Sequence, residues 1–180
     1  MLQITVPATE IFDEVTSEFI STKEQTLHLE HSLVSISKWE SKWEKPFLKK
    51  EDRTEEEVVD YIKCMTLTQN VNPDVYKCLT KDNLDEIDKY INAQMTATWF
   101  SEDKTGKKSR EIITSEIIYY WMISLNIPFE CQKWHLNRLL TLIRVCDLKN
   151  APPKKMSKSE LLRRNRQLNE ARKKAANSNG

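Results

Sequence analysis

The chain has 180 residues, 39% hydrophobic and 31% charged, with a net charge of +1, which is enough for one domain with a core, or one domain and a tail. Its two glycines, Gly106 and Gly180, exclude P-loop and dinucleotide-binding loops, which need glycine for positive φ and close approach to phosphate. No apolar run reaches the ~18–20 residues that cross a bilayer, and Met1-Leu2-Gln3-Ile4-Thr5-Val6-Pro7 lacks the basic start and apolar stretch of a secretory signal.

Residues 2–30 predict strands. Ile4 and Val6 alternate with polar neighbours, as do Leu27 and Leu29, the period of a half-buried strand. Ile11-Phe12-Asp13-Glu14-Val15 and Phe19-Ile20-Ser21 would pair across Thr16-Ser17-Glu18, giving a small antiparallel sheet or a pair of hairpins. From His31 the period changes to that of a helix, with Leu33, Ile36, Trp39 and Trp43 on one side. Pro46 ends it by disfavouring helical geometry at Lys45. After the charged loop Lys49 to Arg53, Thr54 and Glu57 form a capping box, opening a helix that buries Val58, Tyr61, Ile62 and Met65. Asn72-Pro73 starts another short helix, with Val75, Tyr76 and Leu79 inside. Thr80 or Asp82 starts the next, which carries Leu84, Ile87, Tyr90 and Ile91.

Met95 to Phe100 reads as extended, and Ser101 to Ser109 as an exposed polar loop with Gly106 at its tip. Two apolar helices follow, over about residues 109–125 and 128–148. Pro128 fits a first helical turn, and Leu136, Leu139, Leu140 and Ile143 share a face that Cys146 extends and Leu142 and Val145 widen. The two predict a helical hairpin at the centre of the core. Pro152-Pro153 stops regular structure, and Ser157-Lys158-Ser159-Glu160 is a second capping box, opening a basic helix through Ala175. That helix holds too few apolar residues to fold alone. The expected fold class is α+β, mainly α-helical: an N-terminal antiparallel β element over 1–30, a helical bundle over 31–148, and a basic C-terminal tail with a helix over 149–180.

Candidate chemistry is sparse. His28-x-x-His31 has a zinc-like spacing, but no Cys-x-x-Cys accompanies it and His28 falls in a strand, so no metal or other cofactor is expected. Cys131 and His135, four apart on the predicted helix, share a face and would suit a nucleophile and its base; no third orienting group or oxyanion hole is visible, so packing is the better account of Cys131. Asp82, Asp85, Glu86 and Asp88 lack the glycine and the twelfth-position glutamate of a calcium loop and read as a solvated helix face. The aromatics Trp39, Trp43, Tyr119, Tyr120, Trp121 and Trp134 stand at helical spacings and read as core; any left exposed would mark a protein-binding surface. The four cysteines (Cys64, Cys78, Cys131, Cys146) are scattered within predicted helices, as reduced thiols of a cytoplasmic protein are.

The tail is the sharpest feature. Residues 149–180 hold ten Lys and Arg against two Asp and Glu, a net +8, which leaves −7 on residues 1–148. Nucleic acid is the reflex partner for such a tail. The tail has no aromatics to stack on bases, however, and the acidic body would repel a polyanion, so a protein partner or docking on its own body ranks higher.

The stretches Tyr119-Tyr120-Trp121-Met122-Ile123-Ser124-Leu125-Asn126-Ile127-Pro128-Phe129-Glu130 and Trp134-His135-Leu136-Asn137-Arg138-Leu139-Leu140-Thr141-Leu142-Ile143 resemble small proteins of long-tailed bacteriophages, of the tail assembly chaperone type encoded near the tape measure gene. Leu29 to Glu40 and Pro152 to Lys173 add to the resemblance, which covers most of the chain; the N-terminal strands depart from many members. The resemblance implies a non-enzymatic protein of the host cytoplasm. Its client would be the tape measure protein, an aggregation-prone helical chain held until the tail tube polymerises, and self-association is a further expectation. A groove lined by the hairpin of residues 109–148 would take an amphipathic client helix, with Trp121, Trp134 and Leu136 as anchors. Lys154, Lys155, Arg163, Arg164 and Arg166 of the tail would meet acidic client stretches. The alternatives are a structural virion component of the tail or connector and, third, a nucleic-acid-binding protein.

Overall fold

A computed structural model describes residues 1–13, 17–49, 52–100, 112–151 and 158–176. The chain is a mixed α+β fold, mainly helical, with its strands at the N-terminus and its helices after them. Strand β1 (Leu2–Val6) pairs antiparallel with β4 (Gln25–Leu29), and β2 (Thr9–Asp13) with β3 (Glu18–Thr22). Leu2 faces Leu29 and Thr9 faces Thr22, so both pairs keep a single register. The four strands are therefore one long hairpin, interrupted at Pro7, which has no N–H to give to a ladder. Ile4, Val6, Leu27 and Leu29 point into the core, as their alternation predicts. Phe12 and Phe19 face each other across the outer part of the hairpin, ring centres 5.1 Å apart and both exposed.

Helix α1 (Leu33–Trp43) starts at Ser32, whose hydroxyl accepts the Ser35 N–H, and ends at Glu44, which takes the left-handed conformation at φ 52° two residues before Pro46. Helix α2 (Glu55–Met65) carries the expected box: Thr54 accepts from the Glu57 amide, and Glu57 accepts from the Thr54 amide at 2.9 Å. Asn72 caps the 3₁₀ turn Pro73–Cys78, and Thr80, rather than Asp82, caps α3 (Lys81–Ile91). Helix α1 is the spine, flanked by α2 and by α4 (Ser115–Ser124). Trp39, fully buried, donates to the Glu57 carbonyl at 2.9 Å, and Trp43 donates to Asp60 Oδ2 at 3.0 Å, beside the Lys42–Asp60 ion pair. Burial works to raise the Asp60 pKa, but hydrogen bonds from Lys42 and Trp43 outweigh it and hold the carboxyl low. After α2 the chain turns along β4: the Leu67 N–H donates to the His28 carbonyl and the Glu30 N–H to the Met65 carbonyl.

Two helical expectations need correction. Helix α4 begins at Ser115, and residues 112–114 before it are not helical. The single helix expected over 128–148 is broken: Phe129–Lys133 is a 3₁₀ turn, Trp134 is extended, and α5 runs Leu136–Asn150. The break has a long-range cause. The Leu136 N–H donates to the His31 carbonyl at 2.8 Å and the His135 ring accepts the Asn137 N–H, so the start of α5 is fixed by the residues before α1. The hairpin also opens: the nearest backbone neighbour of α4 is α1, and α4 and α5 stand as two walls of a cleft. Met95 to Phe100 has no regular secondary structure, and the loop expected over residues 101–109 lies outside the described residues.

The chain divides into two units, Met1–Asp147 and Leu148–Gly180. The first holds the strands together with the helices, in one core that includes Leu27, Leu29, Leu33, Ile36, Met65 and Leu139. The second contains α6 (Lys158–Ala175), the expected basic helix, none of whose residues is buried. Its proposed cap Ser157 lies outside the described residues. Among the described residues no helix is long and apolar enough to cross a membrane.

Candidate functional site

Helix α4 is apolar almost all the way round. Ser115, Ile118 and Met122 face the core. Trp121 and Leu125 fall on the flank that faces α5, and Tyr120 and Ile123 face outward, 66% and 60% exposed. A ten-residue helix with one covered face cannot hide this sequence, so two of its sides remain as surface. Helix α5 buries Leu136, Leu139 and Ile143 and turns Leu140, Arg144 and Asp147 toward α4.

Between them lies a cleft of about 390 Å3 whose walls are Trp121, Leu125, Leu140 and Ile143, with Ser124, Arg144 and Asp147 at its mouth. Leu140 and Arg144 also line an adjoining hollow of about 570 Å3 with Trp99 and Phe100. There the Arg144 guanidinium lies 4.1 Å from the Phe100 ring centre. Asn137 and Leu140 continue the same side of α5 into a third hollow of about 770 Å3, floored by His31 and Phe47 and edged by Asp52 and Arg53. One side of α5 thus borders a chain of three depressions.

No family model, curated protein or solved structure matches this chain.

Of the anchors expected from sequence, Trp121 lines the cleft. Trp134 is half-buried and holds the Arg138 guanidinium 4.2 Å from its ring centre, away from the cleft lining. Leu136 is 1% exposed and belongs to the core, where it lines the hollow floored by His31 and Phe47 and not the α4–α5 cleft. Its periodicity with Leu139 and Ile143 marked the buried face of α5. Arg163, Arg164 and Arg166 are exposed on α6, and Lys154 and Lys155 lie outside the described residues. Leu125 and Leu140, which sequence reasoning did not single out as anchors, take the places beside Trp121. The signal was an apolar residue on the shoulder of each helix, one step off the buried stripe.

The catalytic pair dissolves. Cys131 sits on the 3₁₀ turn and His135 just before α5, so they share no helix face. Burial, with Glu130 adding to it, pushes the Cys131 thiol up, which disfavours the thiolate. His135 Nδ1 accepts the Asn137 N–H at 3.3 Å, so its proton is on Nε2, which donates to the Tyr90 carbonyl at 3.0 Å. His31 Nδ1 bonds the Tyr61 hydroxyl, and the two imidazoles meet edge to face at 5.1 Å. Burial, helped by the neighbouring His135, pushes His31 down to about 3; burial also lowers His135, against the pull of the Tyr90 carbonyl. A general base needs a pKa near the working pH. These rings act as polar mortar, tying the start of α1 to α5 and α2.

His28 and His31 do not converge either. His31 is committed to Tyr61, and His28 Nδ1 is buried without a partner among the described residues. Among the described residues no three His, Cys, Asp or Glu side chains are grouped as metal ligands. Asp82, Asp85, Glu86 and Asp88 are exposed along α3, a solvated helix face as expected. Of the aromatics expected in the core, Trp39 is buried, Trp43, Tyr119, Trp121 and Trp134 are half-buried, and Tyr120 is surface.

Proposed function

We propose that this chain is a non-enzymatic tail assembly chaperone of a long-tailed phage, acting in the host cytoplasm, and that the α4–α5 cleft holds one amphipathic helix of the tape measure protein. The observation that supports this reading is the cleft itself, with walls of Trp121, Leu125, Leu140 and Ile143 and two opposite charges, Arg144 and Asp147, at its mouth. An apolar helix stripe gains most where it replaces water over such walls, and charges at the rim fix its register. The sequence resemblance supplies the client: a long helical protein whose apolar stripes have no covering until the tube forms around them. The exposed Arg163, Arg164 and Arg166 on α6 add a basic surface for its acidic stretches.

The test is to co-express the full chain with the tape measure protein of the same genome and purify either one. The two co-elute, the tape measure protein stays soluble only in the presence of the chaperone, and finished virions lack this chain. Tape measure protein that neither co-elutes nor changes in solubility overturns the reading. Co-purification with assembled tails would favour the structural-component alternative.

A further inference from the structure

We propose that Arg144, held in place by the ring of Phe100, makes the α4–α5 cleft select helices that carry a carboxylate beside their apolar stripe. The inference rests on the helix-binding role proposed for the cleft and names what that role discriminates.

The arrangement begins at Asn137, in the first turn of α5. Its side-chain amide donates to the carbonyls of Ile91 at 3.1 Å and Ala93 at 2.8 Å, which ties the chain leaving α3 to α5. Residues 94–100 then follow the same side of α5, where Thr96, Trp99 and Phe100 share a hollow with Leu140 and Arg144. Phe100 ends half-buried against the Arg144 guanidinium, 4.1 Å from the ring centre. A guanidinium stacked on a ring keeps the N–H groups along its edge available, and that planar fork matches a carboxylate. An arginine without such support samples many rotamers and loses that freedom on pairing; the ring removes much of it beforehand.

Position decides where the acid sits. Arg144 borders both the cleft and the hollow, whereas Asp147, almost one turn further on, borders the cleft alone. Asp147 repels a carboxylate, so the acid of a bound helix lies on the side of residues 94–100. Trp99, 76% exposed, stands on that side as well and offers the flank of the helix an apolar wall. The basic tail also attracts acids, but its pull does not depend on Arg144, so the two are separable.

Calorimetric titration of the full chain tests this with two synthetic amphipathic helices, alike except for glutamate or glutamine beside the leucine stripe. The glutamate helix binds about fivefold tighter, the upper range for an ion pair at a surface. Arg144→Gln brings the ratio to about one, and Phe100→Leu to about two, because a loosely held arginine pairs less well. Phe100→Tyr, which keeps the ring, restores the preference. Equal affinity for the two helices in wild type, or a preference that survives Arg144→Gln, overturns the inference and leaves helix binding standing. So does a Phe100→Leu variant that weakens both helices alike, the mark of a packing role. If neither helix binds, the helix-binding reading fails and this one with it.

Discussion

The Glu40 carboxylate accepts the backbone N–H of Ser115, 75 residues further along the chain, at 2.7 Å, and its other oxygen accepts the N–H of Phe47 at 2.7 Å. Helix α4 has no side-chain cap of its own, so a charged oxygen from α1 serves its first turn and favours its positive end. Glu40→Ala leaves two buried donors without partners and lowers the unfolding free energy by about 2–4 kcal/mol. Glu40→Gln keeps one acceptor and loses roughly half as much. The Ser115 hydroxyl is buried and makes no close hydrogen bond among the described residues, so Ser115→Ala stays within about 1 kcal/mol of wild type. Urea unfolding of the three variants measures the differences.

The paired histidines make stability fall in mild acid. In the unfolded chain each imidazole takes up a proton near pH ~6.5. The folded chain refuses it, because burial holds His31 at about 3 and lowers His135 as well. Their contribution is complete above the unfolded value and is lost as pH falls below it, by about 1.4 kcal/mol per pH unit for each histidine still neutral in the fold. Low-lying carboxylates such as Asp60 lose their stabilising charge only below about pH 4, so the interval from about 7 to 5 isolates the imidazoles. Unfolding free energy measured across that interval declines in wild type and declines less steeply in His135→Asn, whose side chain can still accept the Asn137 N–H. In the folded protein the ring proton signal of His31 does not titrate there.

The start of α2 is set locally, and Thr54 measures how strongly. Its hydroxyl accepts the Glu57 N–H at 3.2 Å while Glu57 accepts in return. Thr54→Ala costs about 1 kcal/mol, and Thr54→Ser much less, in thermal or urea unfolding.

Those local devices were legible in the amino-acid order. Thr54 with Glu57, Asn72 with Pro73, and Pro46 after Trp43 each act within one turn of chain, and the alternation of Ile4, Val6, Leu27 and Leu29 needs only the pleat of a strand. The break at Trp134 was not legible, because the apolar period runs through it and its causes, the His31 carbonyl and the Tyr90 carbonyl, lie in distant segments. The cap on α4 was hidden for the same reason. Glu40 did leave a trace: a carboxylate four residues after Ile36, on the buried shoulder of α1. At the cleft, sequence periodicity found the buried face of α5, with Leu136, Leu139 and Ile143 on it. Telling face from shoulder required knowing that α1, and not α5, covers α4.

The proposed function rests on the α4–α5 cleft taking an amphipathic helix. A titration of the isotope-labelled full chain with an amphipathic segment of the tape measure protein, followed by NMR, tests it most directly. Saturable shifts should gather on Trp121, Leu125, Leu140 and Ile143, and Leu140→Glu should weaken binding by about tenfold or more, a loss of about 1.4 kcal/mol, in a protein that remains folded. Shifts confined to other surfaces, or binding that Leu140→Glu leaves intact, would contradict the account.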